Sequence, residues 1–254
     1  MSILSLFPLL IYGLIWGSFL TVVGLRIPLN QPIIFSRSCC PHCQHTLSSK
    51  ELIPLFSILF QKGKCRHCHQ SIALFYPCTE IATALLGILV FAIAQPNWLS
   101  LGSLFLVLSF GIIFSISDLT AQILPDKLML LFLSFVCMLH FFNRTEDFFS
   151  YLISGLLFFC FFYLFYLFFP SSIGGGDVKY YGILGFLLGY QTTLFALLLA
   201  CSMACIIYLP LYLSKKHNKK KPIPFAPFIF LGAYVACLSS PLFFDYLTSL
   251  LFFQ

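Results

Sequence analysis

The sequence predicts an all-α polytopic membrane protein of about eight transmembrane helices, with a small cytosolic domain inserted after the first helix. Three observations carry that prediction. The 254 residues are 60% hydrophobic and 9% charged, with a mean hydropathy of +0.98. A soluble protein of this size could not keep so little charge on its surface. The charges that do occur separate long apolar runs instead of scattering through them. One stretch, from Arg26 to about Pro77, breaks this pattern: it holds Lys, Arg, His, Pro and five Cys, four of them in two close pairs, and no apolar run of spanning length.

Each element follows in order. Residues 1–25 carry no charge, and Ile3 to Val23 is long enough to span a bilayer. No basic segment precedes that run, so it reads as a retained helix and not as a signal peptide. The charge-free interval between Glu80 and Asp118 is interrupted by Gln95-Pro96-Asn97, which predicts two crossings joined by a polar turn. Lys127 to Arg144 encloses one crossing, and Asp147 to Asp177 encloses another. Lys179 to Lys215 is again charge-free, and a turn near Gly189-Tyr190-Gln191-Thr192 divides it into two short crossings. The apolar run from about Phe225 to Phe253 supplies the last. The domains are then the first helix (1–25), the cytosolic four-cysteine domain (26–77) and a seven-helix membrane domain (78–254).

Eight crossings place both termini on one side, and the basic residues say which. With residue 1 outside, the inside segments 26–77, 118–127, 170–179 and 214–224 hold every Lys and Arg except Arg144. The net charge of +6 is therefore a topology signal and implies no nucleic-acid partner; lipid is the expected surroundings. The run from Lys215 to Lys221 reads the same way, as a solvated basic patch near anionic lipid.

Cys40-Pro41-His42-Cys43 and Cys65-Arg66-His67-Cys68 are two C-x-x-C pairs separated by 21 residues. Two such pairs bring four thiolates to the corners of a tetrahedron, the arrangement Zn²⁺ prefers in a closed structural site. A domain of about 50 residues has too little core to fold alone, so a metal cross-link makes physical sense. The alternatives are two disulfides, disfavoured in a reducing cytosol, and a redox pair, which needs only one C-x-x-C. Cys39 adjoins Cys40 but breaks the spacing to Cys43.

Ionisable groups at membrane depth are costly and are functional candidates by default. Asp118 ends the apolar run Leu99–Ser117, and Asp177 follows Gly174-Gly175-Gly176 at the end of another. Both fall on the cytoplasmic side. Two carboxylates that meet are what an aspartyl protease needs: one acts as base on a water, the other, protonated, polarises the scissile carbonyl. The three glycines would permit unusual backbone angles and close approach of an extended substrate. The competing reading is a helix-ending loop with Asp177 as a helix N-cap. Asp126, in Leu124-Pro125-Asp126, suits the start of the next helix, with a supporting role at the site as the second reading. Glu80, just after Pro77, has the same two readings.

These pieces together resemble the type IV prepilin peptidase family, the GxGD intramembrane aspartyl proteases, over nearly the full length. Gly17-Ser18-Phe19-Leu20-Thr21-Val22-Val23 with Arg26-Ile27-Pro28 is similar to that family's first-helix signature, although Thr21 stands where the family usually has Asn. The cysteine segment resembles its cytosolic domain, with Ser49 where an aromatic is common. Asp118 with Leu124-Pro125-Asp126, Gly174-Gly175-Gly176-Asp177-Val178-Lys179, and Pro224-Phe225-Ala226-Pro227-Phe228 resemble its later segments.

The resemblance implies a bifunctional enzyme of the bacterial cytoplasmic membrane. It would cleave the basic leader of prepilins or pseudopilins and then N-methylate the new N-terminal residue with S-adenosylmethionine. It implies Asp118 and Asp177 as the catalytic pair, with Gly174, Gly175, Gly176, Asp126 and Lys179 in support. It implies Cys40, Cys43, Cys65 and Cys68 as zinc ligands, and points to Gly17, Ser18 and Glu80 for methyl transfer. A polytopic transporter using the membrane acids as a cation path is the rival reading. It leaves the glycine loop and the cysteine domain without a purpose.

Overall fold

The computed structural model describes residues 3–33, 37–40, 42–48, 51–55, 60–93, 98–143, 147–170, 173–213 and 223–251. Ser49, Arg144, the Gln95-Pro96-Asn97 turn and the run from Lys215 to Lys221 lie outside the described residues. The described residues form seven helices: α1 Ile3–Arg26, α2 Phe75–Ile93, α3 Trp98–Ala121, α4 Asp126–Asn143, α5 Phe148–Phe168, α6 Gly175–Leu213 and α7 Ala226–Leu251. They form no β-sheet; two isolated antiparallel bridges lie in the cysteine segment. The chain divides into two compact units, Met1–Ala92 and Ile93–Gln254. α2 therefore groups with α1 and the cysteine segment.

In the first unit α1 and α2 approach at small residues. A Cβ on Gly13 would lie 2.6 Å from the Ala84 Cα, and one on Gly17 would lie 2.8 Å from the Thr83 Cβ. Without a hydrophobic force between helices in lipid, such backbone-close contacts and interhelical hydrogen bonds hold the pair together. Thr21 supplies one of these bonds. Its buried hydroxyl donates to the Gly17 carbonyl at 2.7 Å and lies 2.8 Å from the Thr79 hydroxyl on α2.

In the second unit α3 is the buried centre, with Val107, Phe114 and Ser117 fully enclosed. α7 presses against it where Gly111 leaves space for the Phe230 ring. α5 and α6 meet through Gly155 and Gly182: a Cβ on Gly155 would lie 2.9 Å from the Gly182 carbonyl oxygen. Tyr181 stacks on Phe162 nearby, with ring centroids 4.4 Å apart.

α6 is two helical segments, 175–188 and 190–213, joined at Gly189 (φ 77°, ψ 174°). That backbone region is open essentially to glycine alone. The Thr193 hydroxyl donates to the Leu184 carbonyl at 3.2 Å. In a continuous helix residues nine apart are separated by about 13.5 Å along the axis, so the chain doubles back here. His140 Nε2 lies 3.0 Å from the Phe186 carbonyl oxygen, another acceptor freed by the break. The polar turn expected near residues 189–192 thus coincides with a reversal. Six helices of the described residues are long and apolar enough to cross a membrane, counting Gly175–Pro210 once, and Ala226–Ser239 is a shorter apolar stretch. Counting the reversal, the described chain has eight helical segments.

Close packing makes two glycines opposite in their expected effects. A Cβ on Gly232 of α7 would lie 2.5 Å from the Ala196 carbonyl oxygen and 2.9 Å from the Ala200 nitrogen, both backbone atoms that cannot turn aside. Gly232→Ala is therefore expected to destabilise the second unit by about 1–3 kcal/mol. Nothing lies within 4 Å of a Cβ on Gly87 of α2, so Gly87→Ala should stabilise by up to about 1 kcal/mol through helix propensity. Thermal unfolding of the two variants in one detergent checks both signs.

Candidate active site

Asp118 lies on the last turn of α3, where Gln122, in the left-handed region (φ 55°), donates its N–H to the Asp118 carbonyl at 3.0 Å and ends the helix. The fully buried Ser117 hydroxyl donates to the Ile123 carbonyl and fixes the loop that follows. The half-buried Asp118 carboxylate accepts the backbone N–H of Ala226 at 2.9 Å, and the N–H of Phe225 also bonds to it. These groups open α7, so a carboxylate from α3 sits at the positive end of another helix. The Pro-Phe-x-Pro-Phe segment, singled out in the sequence only by resemblance, thereby acquires a physical task.

Asp177 is likewise at a helix start. Gly174 is the capping residue of α6: its carbonyl accepts the Asp177 N–H at 3.0 Å, and its N–H bonds back to the Asp177 carboxylate. The Asp177 side chain, at the third helical position and not at the N-cap, thus supplies the return half of a capping box, while the Gly174 carbonyl accepts as ordinary helix backbone does. Asp118 and Asp177 lie near enough to interact as like charges. Two acids from distant points of the sequence therefore come within electrostatic reach of each other at the N-termini of α6 and α7.

The glycines serve space, not backbone strain. Gly174, Gly175 and Gly176 have no positive φ, contrary to the unusual angles expected for them. A Cβ on Gly176 would lie 2.8 Å from the Leu124 Cβ, so this glycine lets the α3–α4 loop close onto the start of α6. A Cβ on Gly175 would meet nothing within 4 Å. The glycine beside the Asp177 carboxylate is Gly174, where a Cβ would lie 3.4 Å from Oδ2.

Asp126 points elsewhere. It is the first residue of α4, after Pro125, whose carbonyl accepts the N–H groups of Leu128 and Met129. Its exposed carboxylate pairs with Lys179 at 2.5 Å. Lys179 is two residues beyond Asp177, hence about 200° around the helix from it. The pair opens onto a cavity of about 610 Å³ lined by α4, α5 and α6, among them Leu133, Phe159 and Ile183. Residues that sequence reasoning missed cluster on the Asp177 face. The Tyr180 phenol, fully buried and stacked edge-on with Phe114, lies within electrostatic reach of Asp177, and Tyr208 within reach of Asp118. The one available signal was helical spacing, three residues from Asp177 to Tyr180 and four from Phe114 to Asp118.

The four cysteines converge as their spacing predicts. One sulfur from each of Cys40, Cys43, Cys65 and Cys68 lies within 4.8 Å of the others. Cys40 Sγ is 3.8 Å from Cys68 Sγ, and Cys43 Sγ is 4.0 Å from Cys65 Sγ. Those separations exclude disulfides and match the tetrahedron edge of about 3.8 Å set by metal–sulfur bonds of about 2.3 Å. The cluster fits a metal ion. Cys39 stays outside it, exposed and bonded to Gln44 Oε1, and His42 and His67 are exposed.

The two knuckles are copies of one turn. Cys40 donates to the His45 carbonyl and Cys65 to the Gln70 carbonyl; Gln44 donates back to Cys40 and His69 to Cys65; Leu47 donates to Ser38 and Ile72 to Gly63. Gln44 and His69 share the left-handed region, with φ of 57° and 56°. The His45 ring of the first lies tilted against that of His67 of the second, centroids 3.5 Å apart. N–H groups of Cys43 and His42 push the Cys40 thiol down to about 6. Gln70 pulls the Cys68 thiol the same way, but desolvation and the neighbouring thiols outweigh it and push Cys68 up to about 11. Four sulfurs crowded this closely cannot all ionise without a cation among them.

Comparison with known proteins matches both halves of this arrangement. Residues 11–94 match the bacterial peptidase A24 N-terminal domain, and residues 105–209 match the type IV leader peptidase family. The chain is 34% identical over 233 residues to the prepilin leader peptidase/N-methyltransferase of Bacillus subtilis (strain 168), covering 91% of this chain and 92% of that one. This chain belongs to the type IV leader peptidase family. It is 31% identical to the protein of the same name from Aeromonas hydrophila, covering 90% and 88% of the two chains, and 30% identical to that of Pectobacterium carotovorum subsp. carotovorum, covering 87% and 88%. No solved structure matches it. Family membership and six helices of spanning length make it a multi-pass membrane protein. Nothing in these matches supports the cation-path reading.

Within this family member, the residues expected for methyl transfer gather in the first unit. Gly17 is filled by helix packing against Thr83 and Glu80, which leaves it no surface for a ligand. The Ser18 hydroxyl bonds the buried Glu80 carboxylate.

Proposed function

We propose that this chain is an intramembrane aspartyl endopeptidase that removes the leader of type IV prepilins or pseudopilins and then N-methylates the exposed residue. It works at the cytoplasmic face of the bacterial cytoplasmic membrane, with eight crossings, both termini outside, and the cysteine domain inside. The observation that carries the reading is the placement of Asp118 and Asp177 at two helix N-termini, within electrostatic reach of each other. The relatives' printed name adds the substrate and the second activity.

In this mechanism one carboxylate of the pair takes a proton from water as the water oxygen bonds to the scissile carbonyl carbon. The other, protonated, donates to the carbonyl oxygen. The proton held by the first then passes to the leaving amine as the C–N bond breaks. Gly174 orients Asp177 and Ala226 orients Asp118, so neither carboxylate must be ordered when substrate arrives. Gly176 holds the α3–α4 loop in place, and the Asp126–Lys179 pair ties the starts of α4 and α6 together behind the site.

Zinc bound by Cys40, Cys43, Cys65 and Cys68 would cross-link the two knuckles. S-adenosylmethionine supplies an electrophilic methyl group when bound; Gly17, Ser18 and Glu80 belong to the part of the chain assigned to that reaction.

The test is leader cleavage by the purified protein in detergent, where no ion gradient exists. Conversion of a prepilin to its mature length is the expected result, and mass spectrometry of the product should show one added methyl when cofactor is supplied. Asp126→Asn should keep cleavage within a few-fold of wild type, since an exposed ion pair contributes little. A chain that cleaves nothing in detergent, with a functional control enzyme alongside, overturns the peptidase reading.

A further inference from the structure

Glu80 is a buried acid that the peptidase chemistry does not use. It is the sixth residue of α2, about 8 Å along the helix from its start, and is 6% exposed. Its Oε2 accepts the Leu55 N–H at 3.0 Å, and the Ser18 hydroxyl of α1 also bonds the carboxylate. Leu55 makes its contact from the left-handed region (φ 59°), an uncommon conformation for a bulky residue that clusters at functional sites. No Lys, Arg or His among the described residues forms an ion pair with Glu80. Two neutral donors occupy about half of the four acceptor positions of a carboxylate. A buried carboxylate left without a cation is costly, more so at membrane depth, and the expected compensation is a cationic partner.

We propose that this partner is the free N-terminal ammonium of the freshly cleaved chain, bound by Glu80 between α1, α2 and the segment 51–55. The inference rests on the methyl-transfer reading above and adds the residue that receives the amine. An ammonium has no lone pair and cannot attack a methyl group. Glu80 accepts one proton from it; the freed nitrogen pair forms the C–N bond while the C–S bond of the sulfonium donor breaks with its electron pair left on sulfur. The sulfonium donor's own amino group needs no such deprotonation, which is why the carboxylate is assigned to the peptide amine. Ser18 and Leu55 hold the carboxylate from the sides they occupy and leave the remaining lone pairs for the incoming N–H groups.

The experiment uses the full chain in detergent and a fluorescent peptide with the mature, pre-cleaved N-terminus. Wild type should bind the free-amine peptide at least about tenfold more tightly than its N-acetylated twin, and Glu80→Gln, which keeps the shape and the hydrogen bonds, should erase that preference. Methylation of the pre-cleaved peptide by Glu80→Gln should fall about 10²-fold or more, with Glu80→Asp restoring part of it. Metal content and unfolding temperature matching wild type establish that the Gln variant is folded; should it not fold, the wild-type preference for the free amine still decides. No such preference in wild type overturns the proposal, as does methylation by Glu80→Gln at the wild-type rate. Loss of S-adenosylmethionine binding in Glu80→Gln overturns it in favour of the cofactor's amino group. A wild-type enzyme that binds the free amine selectively but methylates nothing overturns the methyl-transfer reading and leaves the ammonium site standing.

Discussion

Asn in place of Asp177 is expected to lower leader cleavage by about 10³-fold or more, with the same result at Asp118. Removing a positioned acid or base typically costs 10²–10⁴ in rate, and here one carboxylate takes and later delivers the proton while the other polarises the carbonyl. Asn keeps the volume and can still accept the Gly174 or Ala226 N–H, so the variants should stay folded and keep the reversal at Gly189. Single-turnover cleavage of a detergent-solubilised prepilin is the measurement, with size-exclusion profiles as the folding control. Substantial turnover by Asp177→Asn would remove the dyad. An inactive Asp126→Asn beside an active Asp118→Asn would move the first carboxylate to Asp126, against the helical geometry that turns Lys179 and its partner away from Asp177.

The second large effect concerns the cysteine cluster. Metal analysis of purified protein should find close to one zinc per chain, and Cys43→Ser or Cys68→Ser should lose it. Cys39→Ser should keep it, because Cys39 lies outside the four converging sulfurs. In small zinc domains the metal contributes about 10–16 kcal/mol at neutral pH, and that energy is folding energy. The Cys43 and Cys68 variants, or wild type treated with chelator, should therefore show rapid proteolysis within residues 37–72 while the second unit resists. A metal-free protein with four titratable thiols and a protease-resistant cysteine segment would rule the site out.

The knuckles also show what a closer reading of the sequence could have found. Residues 38–47 and 63–72 align as Ser-Cys-Cys-Pro-His-Cys-Gln-His-Thr-Leu with Gly-Lys-Cys-Arg-His-Cys-His-Gln-Ser-Ile. Beyond the ligands, His42 matches His67, Thr46 matches Ser71 and Leu47 matches Ile72, and the last pair makes equivalent backbone bonds to Ser38 and Gly63. Cysteine spacing pointed to a tetrahedron; the aligned residues and the shared hydrogen bonds show one turn used twice.

By itself the sequence determined that the chain is helical and membrane-borne, because charge-free runs of spanning length leave no other way to satisfy the backbone in lipid. It also determined the four-sulfur cluster, since C-x-x-C spacing is a local property of the turn. The reversal at Gly189 was legible for the same reason, as a glycine among polar residues in an interval long enough for two helices. The tertiary structure alone decided which acids meet. Asp118 and Asp126 are eight residues apart and sit at the same end of neighbouring helices, yet one faces the start of α7 and the other the far side of α6. Sidedness in a helix turns by 100° per residue, so sequence distance says little about which face a carboxylate shares until the neighbouring helices are placed. The same holds for Glu80, whose carboxylate is met by Ser18 and Leu55, drawn in from positions far away in the chain.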